Sequence, residues 1–235
     1  IIHLLNMKLN RLLISISLVL FAGGLSAQSP TLLWSNFNTG LGDNSERFNK
    51  MVPDGAGNYV AVGYTVKQGN YRDLLTVKFN ASGDTLWWQT KNGKNSFDDE
   101  AVAAAVDAAG NIYVAGWGDG GTTQNDIILL KYNSAGVRQW DTTWNGTASL
   151  DDIPVDIAVD GNGNIIVAGN TEPDTVSGSS DYITIKFNPN GGVVWQSQFS
   201  RSAVSNGKDE VAKLGVDGTG DVFVTGRSSN GSDDD

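Results

Sequence analysis

The sequence contains no cysteine and a single histidine, His3. Without cysteine, the chain forms no disulfide and has no thiol for lipid attachment or nucleophilic catalysis. Because His3 lies at the extreme N-terminus, the rest of the chain also lacks the histidine of a serine–histidine catalytic site or of a histidine-bearing metal site. Packing, or a metal bound through oxygen atoms, must therefore stabilise the protein.

Basic residues are also scarce. The 26 acidic residues outnumber the 16 lysines and arginines, and the net charge is −10 at pH 7. A negative field of this size disfavours nucleic acid and anionic membrane surfaces as partners. Cations and neutral polymers such as glycans remain compatible with it.

Long hydrophobic runs are confined to the N-terminus. Two basic residues, a run of about eleven mostly apolar residues (12–22) and a small-residue stretch follow Met7. This order predicts a secretory signal peptide within residues 1–27, with residues upstream of Met7 and cleavage after Ala27. The alternative, a membrane anchor, needs roughly 20 apolar residues. We therefore expect no membrane span and a secreted or cell-surface protein.

Glycine, in contrast, is abundant, and many of the 29 glycines belong to a motif that occurs four times. The copies are VPDGAGNYVAVG, AVDAAGNIYVAG, AVDGNGNIIVAG and GVDGTGDVFVTG, separated by 53, 53 and 57 residues. Their leading aspartates are Asp54, Asp107, Asp160 and Asp217. A period near 50 in an all-β pattern predicts a toroid of small repeated sheets.

Each copy predicts four strands. Small residues alternate with valine or isoleucine before the motif aspartate, and a continuous apolar run follows it, as expected for a strand buried on both faces. A third strand begins at an aspartate, and a tryptophan fourteen residues later marks the fourth strand. These tryptophans are Trp87, Trp140 and Trp195. The pattern predicts an all-β protein, a β-propeller of four-stranded antiparallel blades with the small-residue strands nearest the axis.

The repeat period also predicts where the propeller and its blades begin and end. Trp34 lies 53 residues before Trp87 and indicates an isolated outer strand near 31–37. We predict a partial β-propeller over 28–235. Its blades are placed at about 45–95, 96–149 and 150–205, with a truncated blade at 206–235. Closed propellers need 4–8 blades, so we expect an incomplete arc of three full repeats plus parts of two more, from a longer protein.

The recurring anchors are Asp-x-x-Gly-Asn-x-Tyr-Val-Ala-Gly, then Asp-x-x-x-x-Lys-Phe/Tyr-Asn-x-x-Gly-x-x-x-Trp, then an acidic pair. Together they resemble the SBBP-type β-propeller repeat of secreted and cell-surface bacterial proteins, from about Trp34 to the end of the chain. The resemblance implies a propeller scaffold without enzymatic activity. The first repeat departs from the pattern at Asn49 and Pro53, so we expect its inner strand to be irregular or partly open.

A shorter segment, from Asn80 to Trp87, is similar to the glycine-to-tryptophan docking motif of quinoprotein-type propellers. Those families lack the Asp-x-x-Gly-Asn hairpin. We interpret the similarity as shared packing chemistry, without a bound quinone.

One turn is a candidate metal site. Asp160, Asn162 and Asn164 place side-chain oxygens at alternate positions, as at the start of a calcium loop. The favoured alternative is a hairpin turn in which the aspartate accepts hydrogen bonds from turn amides and the glycine has a positive φ. We expect no cofactor, and calcium is the one metal considered.

A second acidic set lies eight residues before each motif aspartate, at Glu46, Asp99, Asp152 and Asp209. Paired carboxylates serve glycoside hydrolysis, and Asp98 and Asp151 adjoin two members of the set. A catalytic pair would break the repeat symmetry, whereas these residues recur in every copy. Recurrence favours a structural role, such as accepting hydrogen bonds from loop amides of the neighbouring blade.

Two of the four connections vary in length between copies, and in a meander both emerge on the same face. Variable loops on a rigid scaffold carry binding function. The candidate ligand-binding residues on this face are Tyr64, Tyr71, Trp117, Asp119, Trp144 and Asn145. Aromatic rings with amides and carboxylates suit a sugar, which has an apolar face and a hydroxyl rim. The alternative is that each ring packs its loop onto the blade.

These observations predict a non-catalytic exported scaffold for binding or display at the cell surface, with an extracellular glycan or protein as partner. One alternative is part of a glycan-active enzyme whose catalytic residues lie in missing blades. A calcium-stabilised structural spacer is the other.

Overall fold

The fold was analysed in a computed structural model, which describes residues 45–66, 71–95, 97–173, 179–201 and 207–229. These residues form fourteen β-strands and contain no helix, and therefore none long and apolar enough to cross a membrane. The predicted all-β class is confirmed. The predicted signal peptide (1–27) and the predicted outer strand (31–37) with Trp34 lie outside the described residues.

The strands form four antiparallel sheets in chain order. Sheet 1 contains β1 (Ser45–Pro53), β2 (Tyr59–Val66), β3 (Arg72–Phe79) and β4 (Thr85–Lys91). Sheet 2 contains β5 (Glu100–Val106), β6 (Ile112–Asp119), β7 (Asn125–Tyr132) and β8 (Arg138–Trp144). Sheet 3 contains β9 (Asp152–Val159), β10 (Ile165–Thr171), β11 (Asp181–Phe187) and β12 (Val193–Phe199). Sheet 4 contains β13 (Asp209–Val216) and β14 (Val222–Ser228). Each sheet is a meander, as the four-strand interpretation of one repeat predicts.

The second strands of sheets 2 and 3 are buried on both faces because a neighbouring sheet covers each side. In β6, Ile112 and Val114 belong to the apolar cluster shared with sheet 1, whereas Tyr113 and Ala115 belong to the cluster shared with sheet 3. Fully burying one such side chain contributes about 1.5–3 kcal/mol. The apolar run after each motif aspartate thus supplies both faces of a stack of sheets.

Three apolar clusters join consecutive sheets. Sheets 1 and 2 share Val60, Val62, Leu74, Ala101, Ala104, Ile112, Val114, Ile128, Leu130 and Tyr132. Sheets 2 and 3 share Ala103, Tyr113, Ala115, Ile127, Leu129, Trp144, Ile157, Ile165, Val167, Ile183, Ile185 and Phe187. Sheets 3 and 4 share Ile166, Ala168, Val211 and Leu214.

The first strands share a β-bulge that faces a glycine. In β1 the register shifts between Phe48 and Lys50, and the other three first strands shift at the equivalent place. A Cβ on the facing Gly63 would overlap the carbonyl oxygen of Arg47, and the equivalent glycines make the same close backbone approach. Glycine closes each second strand because no side chain fits there.

The expectation of an irregular first inner strand was wrong. Strand β1 pairs with β2 from Ser45 to Pro53, and its bulge is the one that all four sheets share. The bulged residue, Asn49, donates from Nδ2 to Glu100 Oε1 at 2.7 Å and to the Ala101 carbonyl at 2.9 Å. The polar side chain therefore ties sheet 1 to sheet 2.

The first strands also approach one another: β5 contacts β1, β9 contacts β5, and β13 contacts β9. The residue after each bulge is Lys50, Ala103, Asp156 or Lys213. Lys213 Nζ lies 2.9 Å from Asp156 Oδ2, and the charges of both residues act on the Lys50 amine. Burial, and then the Lys213 charge, lower the pKa of Lys50. Residues from sheets 1, 3 and 4 therefore meet in one shared space.

At the opposite edge of sheets 1 and 2, a tryptophan docks onto the next sheet. Trp87 Nε1 donates to the Ser134 carbonyl at 3.2 Å, and its ring lies against Gly136. Trp140 repeats this contact with the Pro189 carbonyl at 3.1 Å and with Gly191. Both glycines have a positive φ. The docking motif thus acts between consecutive sheets.

Replacing Trp140 with alanine is expected to lower the free energy of unfolding by about 3 kcal/mol, because it removes a partly buried ring and its hydrogen bond. The matched control is Trp195→Ala. Trp195 occupies the same position in β12, is 37% exposed, and has no turn docked on it within the described chain. Its replacement should change stability by about 1 kcal/mol or less. Urea unfolding measures both, and equal losses would contradict the docking role.

Candidate functional site

The turns after the first strands share one hydrogen-bond pattern. Asp160 Oδ1 accepts the backbone N–H of Asn162 and Asn164, each at 2.9 Å. Its Oδ2 accepts from Asn164 Nδ2 at 2.8 Å and pairs with Lys186 Nζ at 2.8 Å. Burial opposes ionisation, but the lysine and these donors hold the pKa of Asp160 at about 2. The carboxylate therefore fixes the conformation of the turn through these hydrogen bonds.

The other motif aspartates repeat this arrangement. Asp54 accepts the N–H groups of Ala56 and Asn58 and pairs with Lys78 Nζ at 2.9 Å. Asp107 and Asp217 each accept the N–H groups two and four residues ahead. The glycine of each turn has a positive φ, from 77° to 91°. These features match the hairpin interpretation, and they occupy both oxygens of Asp160 that calcium would need.

The carboxylates before the first strands organise the opposite, variable-loop edge. Asp99 is fully buried. It accepts the N–H of Gly93 at 2.6 Å and that of Asp119 at 3.1 Å. Asp152 and Asp209 make the equivalent bonds to the incoming loop and to the end of the second strand. Each therefore ties the entry loop of its own sheet to that sheet's second strand.

In sheets 2 and 3, the side-chain bond to the preceding sheet is made instead by the residue before the buried carboxylate. Asp98 Oδ1 accepts the backbone N–H of Arg72 at 2.9 Å, and Asp151 Oδ1 accepts that of Asn125 at 3.1 Å. Our expectation assigned this neighbouring-sheet contact to Asp99 and Asp152. In each acidic pair, the second aspartate bonds within its own sheet and the first bonds to the preceding sheet.

Burial raises the pKa of Asp99 to about 6, against the opposing effect of the two backbone N–H groups, and the charges of Asp73 and Asp119 raise it further. Burial also raises the pKa of Asp126 and Asp152, to which nearby carboxylates contribute. Carboxyl groups at this edge therefore repel one another.

An open cleft lies at this edge between sheets 1 and 2, with a volume of about 500 Å³. Its lining residues are Tyr71, Phe97, Asp98, Trp117, Asp119, Gln124 and Asn125. They come from both connections between second and third strands, from the connection between β4 and β5, and from the end of β6. The two kinds of variable connection thus meet at one site.

The cleft presents aromatic surface. Tyr71 and Phe97 are 47% and 55% exposed, and their rings meet edge to face with centroids 6.0 Å apart. Trp117 is half-buried on β6. Asp119 is held through its N–H by Asp99 and through Oδ2 by Asn95 Nδ2 at 2.5 Å. Exposed rings of this size are costly to hydrate and favour a ligand with an apolar face.

The structure brings together three of the six predicted ligand-binding residues, Tyr71, Trp117 and Asp119. Tyr64 instead lies under the Arg72 guanidinium, 4.7 Å from the ring centroid. Asn145 is exposed but lies outside the cleft lining.

Trp144 belongs to the core between sheets 2 and 3. It is 9% exposed, and its indole N–H donates to Gln196 Oε1 at 2.9 Å. Sequence reasoning placed this ring on the binding face because it lies where a variable connection begins, at the end of β8, and it missed Phe97 and Gln124. Phe97 had one available signal, its position directly before the acidic pair.

The aromatic lining breaks the repeat. In sheet order, the position of Tyr71 is occupied by Tyr71, Gln124 and Ser179. In sheets 2, 3 and 4, the position of Phe97 is occupied by Phe97, Leu150 and Gly207, and that of Trp117 by Trp117, Asn170 and Arg227. The counterpart of Trp117 in sheet 1 is Tyr64, which packs under Arg72. All three positions are aromatic only between sheets 1 and 2. Structural anchors recur in every sheet, so residues that are special to one interface point to a site-specific role.

A pH series with Asp99→Asn tests the buried carboxyl. A raised pKa means that the native state binds the proton more tightly than the unfolded state. The stability that Asp99 contributes by binding this proton is complete below about pH 3.8 and is lost as the pH rises through about 6. A shift of this size corresponds to about 3 kcal/mol. Relative to the variant, the wild-type free energy of unfolding should therefore fall over this window.

The control for that series is Asp160→Asn. The pKa of Asp160 is lowered, so its stabilising contribution is present above about 3.8 and is lost as pH falls through about 2. Between pH 4.5 and 7 its difference from wild type should stay constant. Urea unfolding at each pH measures both, and a flat Asp99→Asn difference would refute the buried, proton-binding carboxyl.

Calcium binding at Asp160 is tested by thermal unfolding with calcium and with chelator. The Lys186 ammonium already occupies Asp160 Oδ2, so the two curves should superimpose. Lys186→Met is the informative variant, because it removes the competing cation. A rise in Tm with calcium for the wild-type protein would establish the calcium-stabilised alternative.

Comparison with known proteins adds no assignment: neither protein-family models nor curated proteins gave a match to this chain. The SBBP-type resemblance therefore stays a prediction. The arrangement of the cleft is the basis on which a function can be argued.

Proposed function

We propose that this chain is an arc of an exported, SBBP-type β-propeller that binds extracellular glycans without catalysis, through the cleft between sheets 1 and 2. The observation that carries the proposal is the aromatic lining, which occurs at one sheet interface and is absent from the equivalent positions of the others.

The propeller part of the proposal is supported by the order of the sheets. Consecutive sheets pack face to face, and their first strands are neighbours. The charges of Asp156 in sheet 3 and Lys213 in sheet 4 both act on Lys50 in sheet 1, as expected for first strands around a common axis. Tryptophan docking at the outer strands completes the blade-to-blade contacts.

The glycan part is supported by the chemistry of the lining. Tyr71, Phe97 and Trp117 offer ring surface to the apolar face of a sugar. Gln124, Asn125 and Asp119 offer donors and acceptors to its hydroxyl rim. An open cleft between loops suits an extended polymer better than a small, fully enclosed ligand.

The absence of catalysis is supported by how the recurring carboxylates are used. Asp99, Asp152 and Asp209 accept hydrogen bonds from backbone amides or hydroxyl groups of their own sheets. Each therefore has a structural task that accounts for its burial and its recurrence.

The test is a glycan screen of the chain, followed by calorimetric titration of the best ligand. Trp117→Ala should weaken binding roughly tenfold or more, about 1.4 kcal/mol, because it removes the central ring. The matched control is Asn170→Ala, the equivalent position in sheet 3, which should leave affinity unchanged. Equal effects of the two substitutions, or no glycan bound at all, would contradict the proposal.

A further inference from the structure

The aromatic cleft is also acidic. Its two charged lining residues are Asp98 and Asp119. Two described cations beside it, Arg72 and Lys94, have partners in the protein. Arg72 pairs with Asp98 at 3.6 Å and with Glu100 at 2.9 Å, and Lys94 Nζ donates to the Gly120 carbonyl at 3.0 Å. Among the described residues, the charged groups that line the cleft are therefore both carboxylates.

Asp119 is the less compensated of the two carboxylates. Asn95 Nδ2 donates to its Oδ2, and no lysine or arginine among the described residues forms an ion pair with it. Its backbone N–H is fixed by Asp99, so the side chain starts from a defined position at the end of β6. The carboxylate is thus presented to the cleft beside the rings.

Buried carboxyl groups behind the cleft strengthen the negative field. Asp73, Asp99 and Asp126 are all buried in the sheets that form it. The Asp119 charge contributes to the raised pKa values of both Asp99 and Asp126. A positive charge placed near Asp119 relieves this mutual repulsion.

We propose that the cleft selects glycans that carry free amines, that is, de-N-acetylated amino sugars, with the sugar ring on the aromatic lining and its ammonium group at Asp119. The inference rests on the glycan-binding function proposed above and names the ligand class. An ammonium group at this position is stabilised by two interactions, one with the carboxylate and one with the faces of neighbouring aromatic rings. N-acetylation removes the positive charge and therefore both interactions.

The experiment titrates the chain with a glucosamine hexasaccharide and with its fully N-acetylated counterpart, at a pH where the amine is protonated. The glucosamine oligomer should bind about tenfold more tightly. Raising the ionic strength from about 0.01 M to about 0.15 M shortens the Debye length from about 30 Å to about 8 Å. The preference should shrink accordingly, because exposed charges carry it.

Asp119→Asn should abolish the preference, so that the variant binds the glucosamine oligomer no more tightly than it binds the acetylated oligomer. Its matched control, Glu172→Gln, changes the equivalent residue of sheet 3 and should leave the preference intact. Unfolding midpoints establish that each variant is folded. The salt dependence of the wild-type preference tests the inference without any substitution.

The outcomes separate the two proposals. Equal affinity for both oligomers would overturn the amine preference and leave glycan binding standing. Binding of neither would overturn both. A lysine-rich peptide that competes as strongly as the glucosamine oligomer would reassign the cleft to a protein ligand and overturn the glycan class.

Discussion

Consecutive sheets bury their apolar faces against each other, and this contact fixes the position of everything else in the molecule. The second strands of sheets 2 and 3 bury apolar side chains on both faces and therefore need both neighbouring sheets. In β6, the adjacent residues Val114 and Tyr113 pack at two different interfaces. The bulge and its facing glycine let the first strands approach closely, and the tryptophans fix the outer strands. Each sheet is stabilised by the next, as in other repeat architectures.

The two edges of the stack have separate tasks. At one edge, short turns are closed by their own aspartates and asparagines, with lysines such as Lys78 and Lys186 completing the carboxylate shell. The polar groups of these turns bond to one another, which leaves few of them to bind a ligand. At the other edge, buried aspartates hold longer connections whose side chains differ from sheet to sheet. Because the buried aspartates hold the backbone of these connections, the other side chains can differ between sheets, and those between sheets 1 and 2 are aromatic.

Local features of the fold could be predicted from the sequence. The alternation around Val106 and Val159 gave the first strands, and the apolar runs gave the buried second strands. Turn chemistry gave the positive-φ glycines. Contacts between repeats were harder, because nothing local indicates that Trp87 docks onto Gly136, or that Gly116 closes its strand opposite a bulge in β5.

The candidate site could be predicted in part. Loop-length variation identified connections that line the cleft, and three of the predicted residues lie there. Trp144 misled because an aromatic residue at a strand end has the same sequence signature whether it points to solvent or fills a sheet interface. Phe97 was missed because its proximity to Tyr71 depends on the packing of sheet 2 against sheet 1. Side-chain direction is a tertiary property that one repeat does not encode.

The most direct test of the central claim is a backbone and indole NMR chemical-shift map of the chain with a bound glycan oligomer. The account predicts perturbations confined to the cleft between sheets 1 and 2, including the Trp117 indole N–H and the amides of Phe97 and Asp119. Perturbations at the equivalent positions around Leu150 and Asn170, or at the turns around Asp54 and Asp160, would contradict it.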